Sequence, residues 1–357
     1  MAWPATRAAE LLGVRYPIVQ APMAGATTPE LVAAVSNAGG LGGFGAARTD
    51  PEELRATIRR IRELTDRPFQ INVFAWPAFN ADTDAAAVLG ALEPLYAEVG
   101  ISTPGEVRAP FDPRVLLEQQ LAVIVEERVP VLSFTFGIPP FADVRATGAV
   151  IAGTATTAAE AVALERAGVD LVVAQGSEAG GHRGTFLHTF DDGLIGSLAL
   201  VPAVVDAVSV PVVAAGAVMD GRGIAAALAL GADGVQLGTA FLRCPESALS
   251  DVEREVLAHA SERPTALTDR ATGRPVRVIR TRIVDDLDSV DVPALAFPLQ
   301  AVATGPVTRA ALEQGREDLA LVLAGQGAPL ARDLGAADLV ATLVAETEEV
   351  LSRLGPG

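Results

Sequence analysis

Short apolar runs alternate with amphipathic stretches along the first two thirds of the chain. Tyr16 to Gln20, Leu41 to Phe44, Phe69 to Val73, Val129 to Phe134, Ala149 to Ala152, Asp170 to Gln175, Val212 to Ala215 and Gly234 to Leu237 read as eight strands. Most are apolar over nearly their whole length, the pattern of strands covered on both faces. Between them lie helical patterns. Pro29 opens one through Leu31, Val32 and Val35, which Gly39 and Gly40 end. Pro51 to Leu64 sets Leu54, Ile58 and Ile61 against several arginines. Others run from about Thr157 to Ala167, Leu198 to Val208 and Gly223 to Leu230. Such alternation predicts parallel strands with right-handed crossovers, and eight units is the number that closes an α/β barrel of the (β/α)8 TIM type. An open doubly wound sheet is the structural rival.

Two stretches break the rhythm. From Phe74 to about Leu121 the chain holds Trp76, Pro77, Pro94, Tyr96, Pro104, Pro110 and Pro113 around helical pieces, which predicts an insertion over 74–121, beyond the third strand. After Cys244 and Pro245 the pattern turns helical and irregular. The expected organisation is a barrel over 1–244 and a C-terminal cap over 245–357 that packs on the barrel mouth. Gly40, Gly42 and Gly45 spell GxGxxG, but they follow a helix and lie on a strand, the reverse of the order a dinucleotide fingerprint requires.

Composition narrows the chemistry. The chain has 357 residues, 50% of them hydrophobic, with a formal charge of -17. That charge repels phosphate backbones and anionic lipid surfaces, so neither nucleic acid nor membrane is an expected partner. The chain contains no lysine. Schiff-base chemistry, pyridoxal phosphate attachment and a Walker-type loop are therefore excluded. A single cysteine, Cys244, excludes an intramolecular disulfide and suits a reducing cytoplasm, the expected location. No cluster of histidines and carboxylates has metal-ligand spacing, and no catalytic metal is expected.

In a barrel of this kind chemistry lies at the C-terminal ends of the strands. There the sequence places Ala21, Pro22 and Met23, then Asn72, Thr135, Gln175 and the loop GSEAGGHRG with His182, and finally Gly216, Ala217, Gly238 and Thr239. Glycines after the seventh and eighth strands, next to helix starts, suit an anion, which makes a monophosphate cofactor the natural guest. Plain structural turns use glycine in the same way. His182 and Arg183 are the candidates to hold an anion, with Arg183 equally able to point outward towards Glu178 or solvent. His188 and His259 do not lie at strand ends and are read as structural.

The runs QAPMAGATTPELVAAVSNAGGLG, QINVF, VLSFTFGIP, AQGSEAGGHRG, VPVVAAGAVMDGRGIAAALALGADGVQLGTAFLRCPES, TGRPVR, PLQAVATGP and AGQG closely resemble the nitronate monooxygenases, formerly called 2-nitropropane dioxygenases. The resemblance covers nearly the whole chain. It implies an FMN-binding barrel that oxidises alkyl nitronates, with nitroalkanes as a further substrate class, by molecular oxygen to carbonyl compounds and nitrite, with His182 catalytic. It implies further that Ala21, Pro22 and Met23 meet the flavin through backbone, and that Asn72 and Gln175 hydrogen-bond its ring edge. Gly180, Gly181, Gly216, Ala217, Gln236, Leu237, Gly238 and Thr239 would hold the ribityl phosphate. The sequence departs from the family pattern at three places. Thr135 stands where many relatives have a second histidine, Ala217 replaces a glycine, and Phe297 replaces a frequent tyrosine. Thr135 and Phe297 belong to the expected substrate pocket. The nearest functional rival is an FMN-dependent NAD(P)H quinone or enoyl-thioester reductase. A flavin-binding protein without turnover is the more distant one.

Overall fold

A computed structural model describes residues 3, 5–76 and 84–354. Eight of its strands form one parallel sheet: β1 (Ile18–Gln20), β2 (Gly42–Gly45), β3 (Phe69–Phe74), β4 (Val131–Thr135), β5 (Val150–Ala155), β6 (Leu171–Gln175), β8 (Val212–Ala215) and β9 (Gly234–Leu237). Their order is β1-β9-β8-β6-β5-β4-β3-β2. A bridge between Val19 and Leu41 brings the two edges together and closes the sheet into a (β/α)8 barrel. The eight strands are those the hydrophobic pattern predicts. A ninth short strand, β7 (Gly181–His182), lies in what reads as a flexible glycine loop.

Helix starts follow local chemistry. α1 (Arg7–Leu12) opens on Thr6, whose hydroxyl accepts from Ala9 N. Thr28 and Asp50 cap α2 (Pro29–Asn37) and α3 (Pro51–Leu64), each with proline in the first turn. Farther along the chain lie α4 (Ala86–Glu98), α5 (Pro113–Glu126), α6 (Ala142–Ala146), α7 (Ala158–Ala167), α8 (Ser197–Ala207) and α9 (Gly221–Ala229). The glycines of the GxGxxG run are there for close packing. A β-carbon on Gly42 would stand 2.1 Å from Val32 O, and one on Gly45 2.6 Å from Ala24 N, so β2 lies tight against α2 and the loop after β1.

The segment after Cys244 is used in two places. It begins with α10 (Asp251–Ala258), and β10 (Thr265–Thr268) and β11 (Val276–Ile279) then form an antiparallel hairpin where the sequence reads as helical and irregular. β11 pairs in turn with β7, so His182 stands opposite Val276. With α11 (Arg282–Asp288) and α12 (Leu299–Glu313), this hairpin shares an apolar core with α4 of the insertion, including Val88, Leu92, Tyr96, Val278, Ile283 and Val307. The Tyr96 hydroxyl donates to Ala303 O at 2.7 Å across that core. The last helix, α13 (Ala336–Leu354), instead lies along α2 and α9 on the outside of the barrel. Pro77 of the insertion lies outside the described residues. No described helix is long and apolar enough to cross a membrane.

Candidate active site

The loop that carries His182 is clamped from every side. Gln175, at the end of β6, donates from Nε2 to His182 O at 3.0 Å and accepts Gly184 N at 2.9 Å on Oε1. Glu160, fully buried in α7, accepts Leu187 N at 3.1 Å and Phe186 N at 2.5 Å. Glu178 takes the N–H and hydroxyl of Ser197 at the start of α8, fastening the loop to a helix N-terminus where a carboxylate is favourable.

Arginines complete the clamp by donating to backbone carbonyls. Arg183 points inward and is fully buried, donating to Gly176 O at 2.6 Å, Gln175 O at 3.0 Å and Gly193 O at 2.9 Å. It therefore neither holds a substrate anion nor points outward to Glu178, the two roles its sequence position suggests. Burial pushes its pKa down to about 10, with Arg277 adding repulsion. Arg277 donates to Ser177 O at 2.9 Å. Arg274 donates to Arg183 O at 3.1 Å and to Thr185 O, and its guanidinium lies 4.0 Å from the Phe136 ring centroid. The carbonyls of a glycine-rich loop need donors, and the planar five-donor fork of arginine supplies several from one side chain.

His182 is thus held in an aromatic pocket. Its ring centroid is 5.0 Å from that of Phe297, 5.9 Å from Phe136 and 6.4 Å from Phe74, all edge-on. Phe297 stacks at 5.2 Å on Trp76. Nε2 lies 3.0 Å from the Thr272 hydroxyl. Burial among these rings pushes the histidine pKa down to about 3, and the positive charges of Arg274 and Arg48 add to the shift. The imidazole is therefore neutral at physiological pH.

The expected cofactor residues lie at or near the C-terminal ends of β1, β3, β6, β8 and β9. Gly216 and Ala217 follow β8 with φ of 122° and 54°. Gly238 follows β9, and a 3-10 turn, Thr239–Phe241, starts directly after it. Short turns of this kind after the last two strands are where barrels bind phosphate. A β-carbon on Gly238 would lie 3.4 Å from Ala21 Cβ and 3.5 Å from Met23 S, so the loop after β1 sits against the same spot. Ala21 N donates to Leu237 O at 2.8 Å. Gln236 and Leu237 lie within β9, Pro22 is half-buried between Ala21 and Met23, and Gly181 lies on β7 with φ 78°. Asn72 is buried inside β3 and donates to Ser133 Oγ at 3.0 Å, while Thr135 faces Thr154 with the hydroxyls 3.4 Å apart.

A family model described as nitronate monooxygenase matches residues 5–346. The chain belongs to the nitronate monooxygenase family. It is 47% identical over 345 residues to a nitronate monooxygenase of Pseudomonas aeruginosa, covering 95% of this chain and 98% of the relative. A probable nitronate monooxygenase of Staphylococcus saprophyticus is 38% identical over 354 residues, 98% of this chain and 99% of its own length. Among solved structures, nitroalkane oxidase from Streptomyces ansochromogenes superposes with a TM-score of 0.89 at 40% identity, covering 97% of this chain and all of its own. FabK from Thermotoga maritima superposes with a TM-score of 0.76 at 31% identity, covering 98% of both. Nitronate monooxygenases are in general flavin-dependent oxidoreductases acting on nitronates or nitroalkanes, and this chain is one of them.

Several residues that build the pocket escape a reading of strand ends. Thr272, Gly273 and Arg274 come from the turn before β11. A β-carbon on Gly273 would lie 2.2 Å from Leu295 O, so this turn packs against the segment carrying Phe297. Gly325 N donates to Thr239 Oγ1 at 3.0 Å and Gln326 N to Glu178 O at 2.9 Å, which seats the AGQG run against the loops after β6 and β9. The runs TGRPVR and AGQG were the available signals, since conformationally special residues far from any strand end imply close contact with something. A crevice of about 180 Å³ lined by Gly13, Arg15, Asn37, Gly39 and Arg67 lies at the other end of the strands. Helix C-termini face it, which disfavours an anion despite its two arginines.

Proposed function

We propose that the chain oxidises small alkyl nitronates with molecular oxygen, on noncovalent FMN, giving a carbonyl compound and nitrite. The observation that carries this reading is His182 held among Phe74, Phe136 and Phe297, on a loop whose Gly180 packs on the AGQG run bonded to Thr239 after β9, where a phosphate seat is proposed. Gly216, Ala217, Gln236, Leu237, Gly238, Thr239, Gly180 and Gly181 would hold that phosphate, Ala21, Pro22 and Met23 would meet the ring through backbone, and Asn72 and Gln175 would take its polar edge. FMN, when bound, would supply the redox chemistry between substrate and oxygen. The barrel supplies this seat, and the segment after Cys244 supplies Thr272, Arg274 and Phe297 as the pocket's roof. The single Cys244 is compatible with a reducing, cytoplasmic setting.

The chain's own contribution follows from the pocket. A nitronate has already lost its α-proton and needs no base. A neutral nitroalkane must give that proton to His182, and an imidazole whose conjugate acid lies near 3 is a weak acceptor. Nitronates are therefore the better substrates. Phe74, Phe136 and Phe297 give the pocket an apolar wall that suits an alkyl group, while Thr135 and Phe297 offer few polar contacts to a larger, functionalised one.

Anaerobic mixing of the flavin-loaded protein with a nitronate, and separately with NAD(P)H, tests the reading. Bleaching by the nitronate and not by NAD(P)H is expected, and the reverse would establish a reductase. Failure of both would leave a flavin carrier. The extracted flavin should be FMN, and Gly238→Asp should weaken its retention by setting a carboxylate against the phosphate. His182→Asn should abolish the small turnover of neutral nitroalkanes that so weak a base allows and spare most nitronate turnover. Equal small losses on both substrates would show the histidine to be structural.

A further inference from the structure

The Thr272 hydroxyl sits between two partners, His182 Nε2 at 3.0 Å and the carbonyl oxygen of Arg274 at 3.1 Å. It owns one proton, and a carbonyl can only accept. If that proton went to Nε2, the hydroxyl oxygen would face the carbonyl oxygen lone pair to lone pair. If it goes to the carbonyl, the hydroxyl accepts from Nε2–H and both contacts are hydrogen bonds. We infer that Thr272 fixes His182 as the Nε2–H tautomer, leaving Nδ1 as the nitrogen free to take a proton.

The surroundings leave the hydroxyl little choice. Thr272 is buried in a turn in which its own N–H and that of Gly273 both donate to Asp269 O. The Arg274 carbonyl belongs to a segment pinned on both sides, because the Arg274 side chain donates to Arg183 O and Arg183 N donates to Pro275 O at 2.9 Å. Among the described residues Nδ1 has no hydrogen-bond partner. A ring nitrogen's protonation is set by the bond its opposite number makes. Thr272 is thus a positioning residue: it touches the histidine and acts through it.

The role rests on the reading of His182 as the base towards neutral nitroalkanes. In that step the α C–H bond breaks, its proton goes to Nδ1 and its electron pair stays with the nitro group, giving a nitronate and an imidazolium. Nε2–H goes on donating to the Thr272 hydroxyl throughout, so the ring does not rotate to pass from base to acid.

The chain has only three histidines, His182, His188 and His259, so nitrogen-15 NMR of the histidine-labelled, flavin-loaded protein resolves the tautomer directly. The His182 signals, assigned by their loss in His182→Asn, should show a protonated Nε2 and a bare Nδ1. In Thr272→Val, close in shape to threonine, the Nδ1–H form should appear, and the ratio of nitroalkane to nitronate turnover should fall about tenfold, the order of one lost hydrogen bond. Thr272→Ser should restore both. A wild-type spectrum with the proton on Nδ1, or a Thr272→Val spectrum identical to it, would overturn the inference. A tautomer change with no change in the turnover ratio would leave the tautomer assignment standing and overturn His182 as the base.

Discussion

Gly180 and Gly325 approach so closely that neither has room for a side chain. A β-carbon on Gly180 would stand 2.4 Å from Gly325 N, and one on Gly325 would stand 2.8 Å from Gly180 N. The contact joins the histidine loop to the AGQG segment more than a hundred residues later. Gly180→Ala must push the two backbones apart, at a cost of about 1–3 kcal/mol for overpacking. Thermal denaturation should show a lowered Tm, and gel filtration should show loss of flavin. Gly181→Ala is the control, since Gly181 has φ 78° but nothing within 4 Å of its would-be β-carbon. It should cost only the backbone strain, and equal effects of the two variants would show that the close contact does not matter.

Ala217 carries the opposite expectation. Its φ of 54° is in the left-handed region, where an L-residue is strained by roughly 1–2 kcal/mol. Its methyl group is exposed and packs against little. Ala217→Gly should therefore relieve the strain, less the roughly 0.4–1 kcal/mol that glycine costs through the unfolded chain. A small net gain in urea-denaturation stability is expected, with flavin retained. A loss of stability would show that the alanine methyl contributes packing at this turn.

Much of this fold was legible because its strands are buried on both faces. Val212 to Ala215 is apolar without interruption and Gly234 to Leu237 is apolar apart from Gln236, and no other element fits so short a run between helices. β10 and β11 were hidden because Thr265 to Thr268 and Val276 to Ile279 mix polar residues with apolar ones and are separated by a turn rich in Asp, Arg and Gly. Their pairing with β7 is long-range, and a two-residue strand such as Gly181–His182 has no periodicity to detect. The site divides in the same way. His182 and the glycines at strand ends follow from barrel topology, whereas Thr272 and Arg274 reach the pocket through that hidden hairpin. The inward turn of Arg183 is illegible for a different reason: nothing local reveals that the carbonyls of Gln175, Gly176 and Gly193 face one guanidinium.

Arg274 links the clamp to the electrostatics of the histidine. Arg274→Met keeps the apolar stem but leaves the carbonyls of Arg183 and Thr185 without their donor, costing roughly 1–3 kcal/mol for each group that stays buried and unpaired. It also removes one of the two positive charges that press on His182. The variant should denature at lower urea concentration and its His182 should titrate at higher pH than in the parent, read by NMR. An unchanged histidine titration would mean that burial alone sets its pKa.

The histidine also ties stability to pH, with a definite sign. Its pKa in the folded protein is pushed down to about 3, by burial first and then by Arg274 and Arg48, against 6.5 as its ordinary value. Between those values the unfolded chain holds a proton on this residue that the folded protein lacks. Stability must then rise with pH through this window and fall as pH drops from about 6.5 towards 3. One such group contributes a slope of at most about 1.4 kcal/mol per pH unit. Many carboxylates titrate at the lower end, so the informative quantity is the difference between parent and His182→Asn, which cannot gain that proton. Urea-denaturation free energies of the two should run parallel above pH 7. Below about 6.5 they should diverge, the parent losing stability faster as the pH falls. Curves that stay parallel down to pH 4.5 would show that His182 is protonated as readily in the folded pocket as in the unfolded chain, and the neutral imidazole on which the preference for nitronates rests would be excluded.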